Sequence, residues 1–187
     1  MRRNRTSRTA SLTSSSTVAP STGQPHRVLA RQTGYRKAYY VDSYPALKRL
    51  CELLESVANV HGIPICITIV DAHGHVVLLH RMPGSPVLAL EMAERKAYTS
   101  VVMRCETAAL AAQILPGEPL YSLTSSSNRL IAFGGGTFVD FGTETFGVGI
   151  SGGTTAQDME MLADARIAFG EGKWADPVNS TRSEPRR

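Results

Sequence analysis

The residues able to do chemistry in this chain fall in three short stretches between Val70 and Asp158. The last of them, Gly147-Val148-Gly149-Ile150-Ser151-Gly152-Gly153-Thr154 followed by Gln157-Asp158, passes from a strand-like run into a helix-like one. Glycines there let backbone approach a ligand, and the bare amides of a helix start favour an anion. The same residues also suit a plain strand-to-helix turn with Thr155 and Asp158 as a capping pair. The middle stretch, Glu94-Arg95-Lys96-Ala97-Tyr98-Thr99, sets Lys96 among Met92, Ala93 and Ala97. An ammonium partly inside the domain would attract a carboxylate, whereas a surface lysine would only lay its stem over apolar neighbours. The first stretch, Val70-Asp71-Ala72-His73-Gly74-His75, brings two histidines to one turn, with His80 further along the same hairpin. Neither a His-x-x-x-His pair nor a two-histidine carboxylate set accompanies them, which argues against a zinc or non-haem iron cage. A haem iron needs only one or two axial ligands in an apolar slot, so these histidines stay open to that role. Gly149-x-Ser151-x-Gly153 has the outline of a nucleophile elbow, but no histidine follows His80, and the serine lacks a base.

The elements that must position these residues are legible from periodicity. A helix opens at Ser43, which is placed to cap it, with Pro45 early enough to be tolerated. Ala46, Leu47, Leu50, Cys51, Leu53, Leu54, Val57 and Ala58 recur at helical spacing, and Gly62 and Pro64 end the run. Ile65 to Val70 and His75 to His80 read as a hairpin around Gly74. Pro83-Gly84-Ser85-Pro86 breaks the chain before a helix from about Val87 to Met103, with Leu88, Met92, Arg95 or Lys96, and Thr99 or Ser100 near one face. A short helix is expected over Thr107 to Ile114, and strands at Leu130 to Phe133, Thr137 to Val139 and Glu144 to Ile150. Thr155 to Ala168 closes the domain as an amphipathic helix with Met159, Leu162, Ala163 and Ile167 inward. Strands arriving in consecutive pairs between helices imply an α+β domain with an antiparallel sheet.

Charge divides along the 187 residues more than the net +4 suggests. Residues 1–41 carry seven arginines, one lysine and no acid; residues 42–172 carry eight basic and fourteen acidic residues, so the domain is acidic. That removes the basic folded face a nucleic-acid binder needs. The Arg- and Ser-rich leader cannot bury enough apolar surface to order itself, and is expected to be a disordered tail. Its composition also fits an organelle-targeting peptide. Residues 173–187 read as a second tail around the 42–172 domain. Cys51, Cys66 and Cys105 are far apart in apolar contexts, an odd number that favours three free thiols and a reducing, cytoplasmic compartment. No apolar run approaches the roughly 18 residues a membrane span needs.

Asp71-Ala72-x-Gly74, Arg81-Met82, Ala93-x-x-Lys96-Ala97-x-Thr99, Gly135-Gly136 and Gly147-x-Gly149-Ile150-Ser151-Gly152-Gly153-Thr154 with Gln157-Asp158 stand in an order that resembles the GlcG/HbpS/PduO C-terminal family of haem-associated proteins. The likeness covers about Ala46 to Gly170. It implies a profilin-like antiparallel sheet flanked by helices, assembly as a homo-oligomer, and haem or a related tetrapyrrole as cofactor. It also implies an anionic ligand held by Asp71, Arg81, Lys96, Thr99, Gly152, Gly153, Gln157 and Asp158, with His73, His75 or His80 as axial candidates. The chain departs from the family pattern at Pro83, at Ser100 and around Thr137-Phe138, near the expected pocket rim. The alternative is an enzyme acting on a carboxylic or hydroxy acid, with Asp71 or Asp158 as base and Lys96 with Arg81 as clamp.

Overall fold

The computed structural model of the chain describes residues 42–170; both expected tails lie outside the described residues. Helix α1, Tyr44–His61, is followed by strands β1, Cys66–Val70, and β2, Val76–Arg81, then helix α2, Val87–Met103. A 3₁₀ turn at Thr107–Leu110 and a one-turn helix α3, Leu123–Ser126, interrupt the long connection to β3, Gly136–Phe141. Strand β4, Glu144–Ser151, and helix α4, Thr155–Phe169, complete the domain. The strands form one antiparallel sheet in the order β2-β1-β4-β3, so the α+β expectation holds.

Strand alternation sorts the sheet into two unlike faces. Ile67 and Ile69 of β1 and Phe146, Val148 and Ile150 of β4 turn to the face covered by α1 and α4, where Leu47, Leu50, Leu54, Met161, Leu162 and Ala165 complete the main core. The intervening residues Cys66, Thr68, Val70, Gly147 and Gly149 turn to α2, which packs through Ala89, Ala93, Ala97 and Val101. The approach is backbone to backbone. A methyl group at Gly149 would lie 2.1 Å from the Ala93 carbonyl oxygen, and one at Gly147 would lie 2.1 Å from that of Ala97.

Several local expectations are corrected. Ser43 makes no side-chain cap to α1; its hydroxyl donates to Glu144 at the start of β4 instead. Leu130 to Phe133 is not a strand, because the Ile131 amide donates to Thr99 Oγ1 (3.0 Å) and the sheet pairing begins only at Gly136. The short helix ends at Leu110 rather than Ile114. On α2 the inward residues are Ala89, Ala93, Lys96, Ala97, Thr99, Ser100 and Val101, so Lys96, Thr99 and Ser100 fall inside as expected while Leu88 is 62% exposed. On α4, Asp158, Met161, Leu162 and Ala165 point inward; Met159, Ala163 and Ile167 lie outside, Ile167 at 70% exposure. The capping box of α4 is Thr154 with Gln157, one residue earlier than the pair expected.

Candidate functional site

The candidate residues divide between the two ends of the sheet, because β1 and β2 carry them apart. Asp71, His73 and His75 stand at the hairpin turn, whereas Arg81 pairs with Cys66 and, across β1, lies level with Ser151.

At the Ser151 end, Lys96 starts on one face of the sheet and finishes against α4 on the other. Its stem passes the end of β3 at Gly135, where a Cβ would sit 2.6 Å from Nζ. Gly135 has φ of +109°, a conformation that suits glycine, and its carbonyl accepts from the Ile150 amide (2.8 Å). The Lys96 ammonium donates to Asp158 Oδ2 (2.6 Å) and to the Ile150 carbonyl (2.9 Å), and it lies 5.3 Å from the Phe133 ring centroid. Asp158 Oδ1 in turn accepts from the Gly153 amide (3.2 Å). Both side chains are 1% exposed. The anion held by the lysine and the glycine amides is thus the chain's own aspartate. Burial lowers the Lys96 pKa and raises that of Asp158, and their mutual hydrogen bond and charge oppose both shifts. Gln157 is engaged with Thr154 in the capping box, and Arg81 with Ser85 through Nε (3.3 Å) and Nη2 (3.1 Å). Thr99 Oγ1 donates to the Arg95 carbonyl (2.8 Å) while accepting from Ile131. Of the two bases expected beside the Lys96–Arg81 clamp, Asp71 stands at the other end of the sheet and Asp158 is bonded to Lys96 itself.

At the hairpin end, Asp71 Oδ1 accepts from the His73 and His75 amides (2.9 Å each), an Asx-type turn closed by the Gly74 amide donating to the Asp71 carbonyl. The carboxylate therefore fixes the turn that presents both imidazoles, whose ring centroids are 6.2 Å apart. The turn is gripped from outside. The Tyr98 ring packs on Gly74, and Arg129 stacks on Tyr98 (3.6 Å to the centroid) while donating to the Gly74 carbonyl (3.3 Å). His80 does not join them; its Nε2 is 3.3 Å from Glu55 of α1.

A cavity of about 670 Å³ opens beside this turn, walled by Asp71, His73, Arg104, Phe141, Glu144 and Phe146. Sequence reasoning missed Arg104. It ends α2 in the left-handed conformation (φ +53°), and among the described residues it is the one non-glycine with positive φ. A glycine there would avoid a cost of about 1 kcal/mol, so the strained position keeps a long cationic side chain at the cavity. Its Nη1 donates to Thr145 Oγ1 (2.9 Å). The signal available in the sequence was the helix stop at Arg104 without a glycine. Among the described residues no group of three or more His, Cys, Asp or Glu side chains could hold a bare metal ion. No helix there is long and apolar enough to cross a membrane.

Fold and site together define a small α+β domain, with one antiparallel sheet between helices and an imidazole-bearing cavity at one end. Residues 43–166 match the family described as haem degrading protein HbpS-like, and the chain belongs to that family. It is 38% identical over 132 residues to the corrinoid adenosyltransferase PduO of Salmonella typhimurium, a match covering 70% of this chain and 39% of that protein. The chain thus spans about two fifths of the length of that relative. Among solved structures it is similar to the PduOC:heme complex, with 33% identity and a TM-score of 0.63 over 73% of this chain and 96% of that one. Klebsiella pneumoniae protein ORFY is similar at 28% identity and a TM-score of 0.63, over 67% of this chain and 88% of that one.

Proposed function

We propose that the protein binds haem or a related tetrapyrrole at the hairpin end of the sheet. The observation that carries the reading is the roughly 670 Å³ cavity, which has the exposed His73 imidazole in its wall. That size falls in the range of cofactor pockets, about 300–1,000 Å³. The donor chemistry fits: His73, with His75 beside it, offers imidazole nitrogen to an iron, Phe141 and Phe146 offer apolar surface, and Arg104 offers a cation for a propionate. Three carboxylates line the wall, Asp42, Asp71 and Glu144, of which Asp71 is engaged by turn amides and Glu144 by Ser43. Asp71 positions the imidazoles, and Tyr98 with Arg129 holds the turn in place. Haem, when bound, supplies the iron at which any redox or ligand chemistry occurs. The likeness to the PduOC:heme complex supports the reading. The Lys96–Asp158 bridge has a structural part in it, joining α2 to α4. Self-association belongs to the same proposal and is read by native mass spectrometry.

Titration with haemin is expected to give a saturable Soret band. His73→Ala combined with His75→Ala is expected to shift and weaken that band. Arg104→Gly relieves the left-handed strain and keeps the fold, so weaker haem binding in that variant reports the lost cation. An unchanged spectrum in both variants would place any haem elsewhere.

A further inference from the structure

Three contacts tie His75 to Asp71. The Asp71 amide donates to the His75 carbonyl (2.9 Å), the His75 amide donates to Asp71 Oδ1 (2.9 Å), and His75 Nδ1 lies 3.5 Å from Asp71 Oδ2. The two carboxylate oxygens therefore do different things. Oδ1 belongs to the turn, since it also accepts from the His73 amide (2.9 Å), and Oδ2 is left facing the His75 ring. The frame beneath is stiff, with Gly74 bonded to the Asp71 carbonyl and clasped from outside by Tyr98 and Arg129. The His75 side chain is 79% exposed, so a small rotation about its own bonds brings Nδ1 within hydrogen-bond range of an oxygen that the turn holds in place.

A carboxylate only accepts, so the imidazole nitrogen facing it has to carry the proton. Nε2 then holds the lone pair, the reverse of the arrangement that free histidine favours. A carboxylate behind an imidazole in this way fixes the tautomer and raises the basicity of the nitrogen offered to a metal. The His73 ring packs beside His75, but among the described residues it has no hydrogen-bond or ion-pair partner, and its tautomer is not set by these means.

We infer, on the reading that haem binds at the hairpin end, that Asp71 is a positioning residue for the iron: through Oδ2 it holds His75 as the Nδ1–H tautomer and makes His75 Nε2, rather than His73, the axial nitrogen. The carboxylate thus has a part beyond shaping the turn.

The test begins on the full chain without haem. Nitrogen-15 spectra of the histidine rings, recorded in mildly alkaline solution where imidazoles are neutral, are expected to show His75 protonated on Nδ1. Asp71→Asn keeps a carbonyl oxygen for the turn amides and sets an NH2 group toward Nδ1, so His75 is expected to change to the Nε2–H tautomer while the His73 and His75 amide shifts stay near those of wild type. Haemin titration reads the consequence. His75→Ala is expected to shift and weaken the Soret band and His73→Ala to leave it, whereas Asp71→Asn weakens haemin binding about 10–100-fold, the usual cost of removing the partner behind a metal-bound histidine. Should Asp71→Asn loosen the turn, the amide shifts report it, and the wild-type tautomer with the two single-histidine variants still decides. His75 protonated on Nε2 in wild type, or equal haemin affinity in wild type and a well-folded Asp71→Asn, would overturn the inference. A Soret band that depends on His73 and not on His75 would overturn it too, and would leave haem at the hairpin end. A wild-type chain with no saturable Soret band overturns both, so the two failures are told apart by whether the band is present.

Discussion

The two faces of the sheet solve the same packing problem by opposite means. Toward α1 and α4 the core is large aliphatic side chains, with Leu47, Leu50, Leu54, Ile67, Ile69 and Ile150 all fully buried. Toward α2 the buried side chains are small, Cys66, Thr68 and Val70 of β1 against alanines and Val101, and where the glycines of β4 meet Ala93 and Ala97 the helix backbone rests on the strand. The first face gains its stability from apolar area, roughly 25 cal/mol for each Å² removed from water. The second gains close contact and leaves one long side chain, Lys96, to tie α2 to α4 around the end of β3. A face built from large residues is weakened by making them smaller. A face built from glycine is weakened by making anything larger, and its single ionic tie is exposed to the removal of either partner.

The largest effect is expected at that tie. Lys96→Met would leave Asp158, 1% exposed, as an unpaired buried carboxylate, at a cost of about 3–5 kcal/mol. Replacing both partners, Lys96→Met with Asp158→Leu, is expected to recover most of the loss, because the desolvation of two charges is removed with their attraction. Urea unfolding of the two variants measures the difference. A double variant no more stable than Lys96→Met alone would mean that the geometry of the bridge, and not the stranded charge, holds α2 to α4.

The next pair of substitutions sets the faces against each other. Leu54→Ala on the aliphatic side is expected to cost about 3 kcal/mol through lost burial and a cavity. Gly149→Ala on the α2 side is expected to cost about 2–3 kcal/mol by forcing a methyl within 2.1 Å of the Ala93 carbonyl oxygen. A Gly149→Ala protein as stable as wild type would show that α2 shifts freely on the sheet, and the contrast between the faces would fail.

How legible each face was follows from the same contrast. The α1 face announced itself, since Leu47, Leu50, Leu54 and Ala58 carry the helical period in full view, and Ile67 and Ile69 alternate as a strand should. The α2 face was less legible. Its helix limits follow from Pro86 and the apolar run, but hydrophobicity marked Leu88 as inward when the buried positions are three alanines, Lys96, Thr99, Ser100 and Val101. For α4 the misreading has a clear cause: the buried face contains Asp158, and the exposed one contains Met159 and Ile167. Periodicity counts apolar residues, so a buried charge and an exposed apolar stripe together rotate the apparent face. The family likeness drawn from the glycine motifs agrees with the HbpS-like match. The grouping of the candidate residues did not emerge, because nothing in a one-dimensional pattern says that a hairpin separates Asp71 from Arg81 while a strand end brings Lys96 to Asp158.

The smallest effect expected concerns pH, and it sharpens the contrast from the aliphatic side. Cys51 sits in α1 at 7% exposure, and burial, helped by Glu55 and Glu52, pushes its thiol up to about 11 from the ordinary 9.0. Between those values the native state keeps a proton that the unfolded chain releases. Stability therefore falls as pH rises from about 9 toward 11, and the contribution of this one group is at most about 2 kcal/mol. Other groups titrate over the same range, so the quantity to read is the difference between wild type and Cys51→Ala in chemical unfolding at pH 8 and pH 10.5. The alanine variant is expected to begin less stable and to lose less on the way up, so that the two curves converge. Parallel curves would mean that the thiolate is as well accommodated as the thiol, which an apolar face of fully buried leucines does not allow.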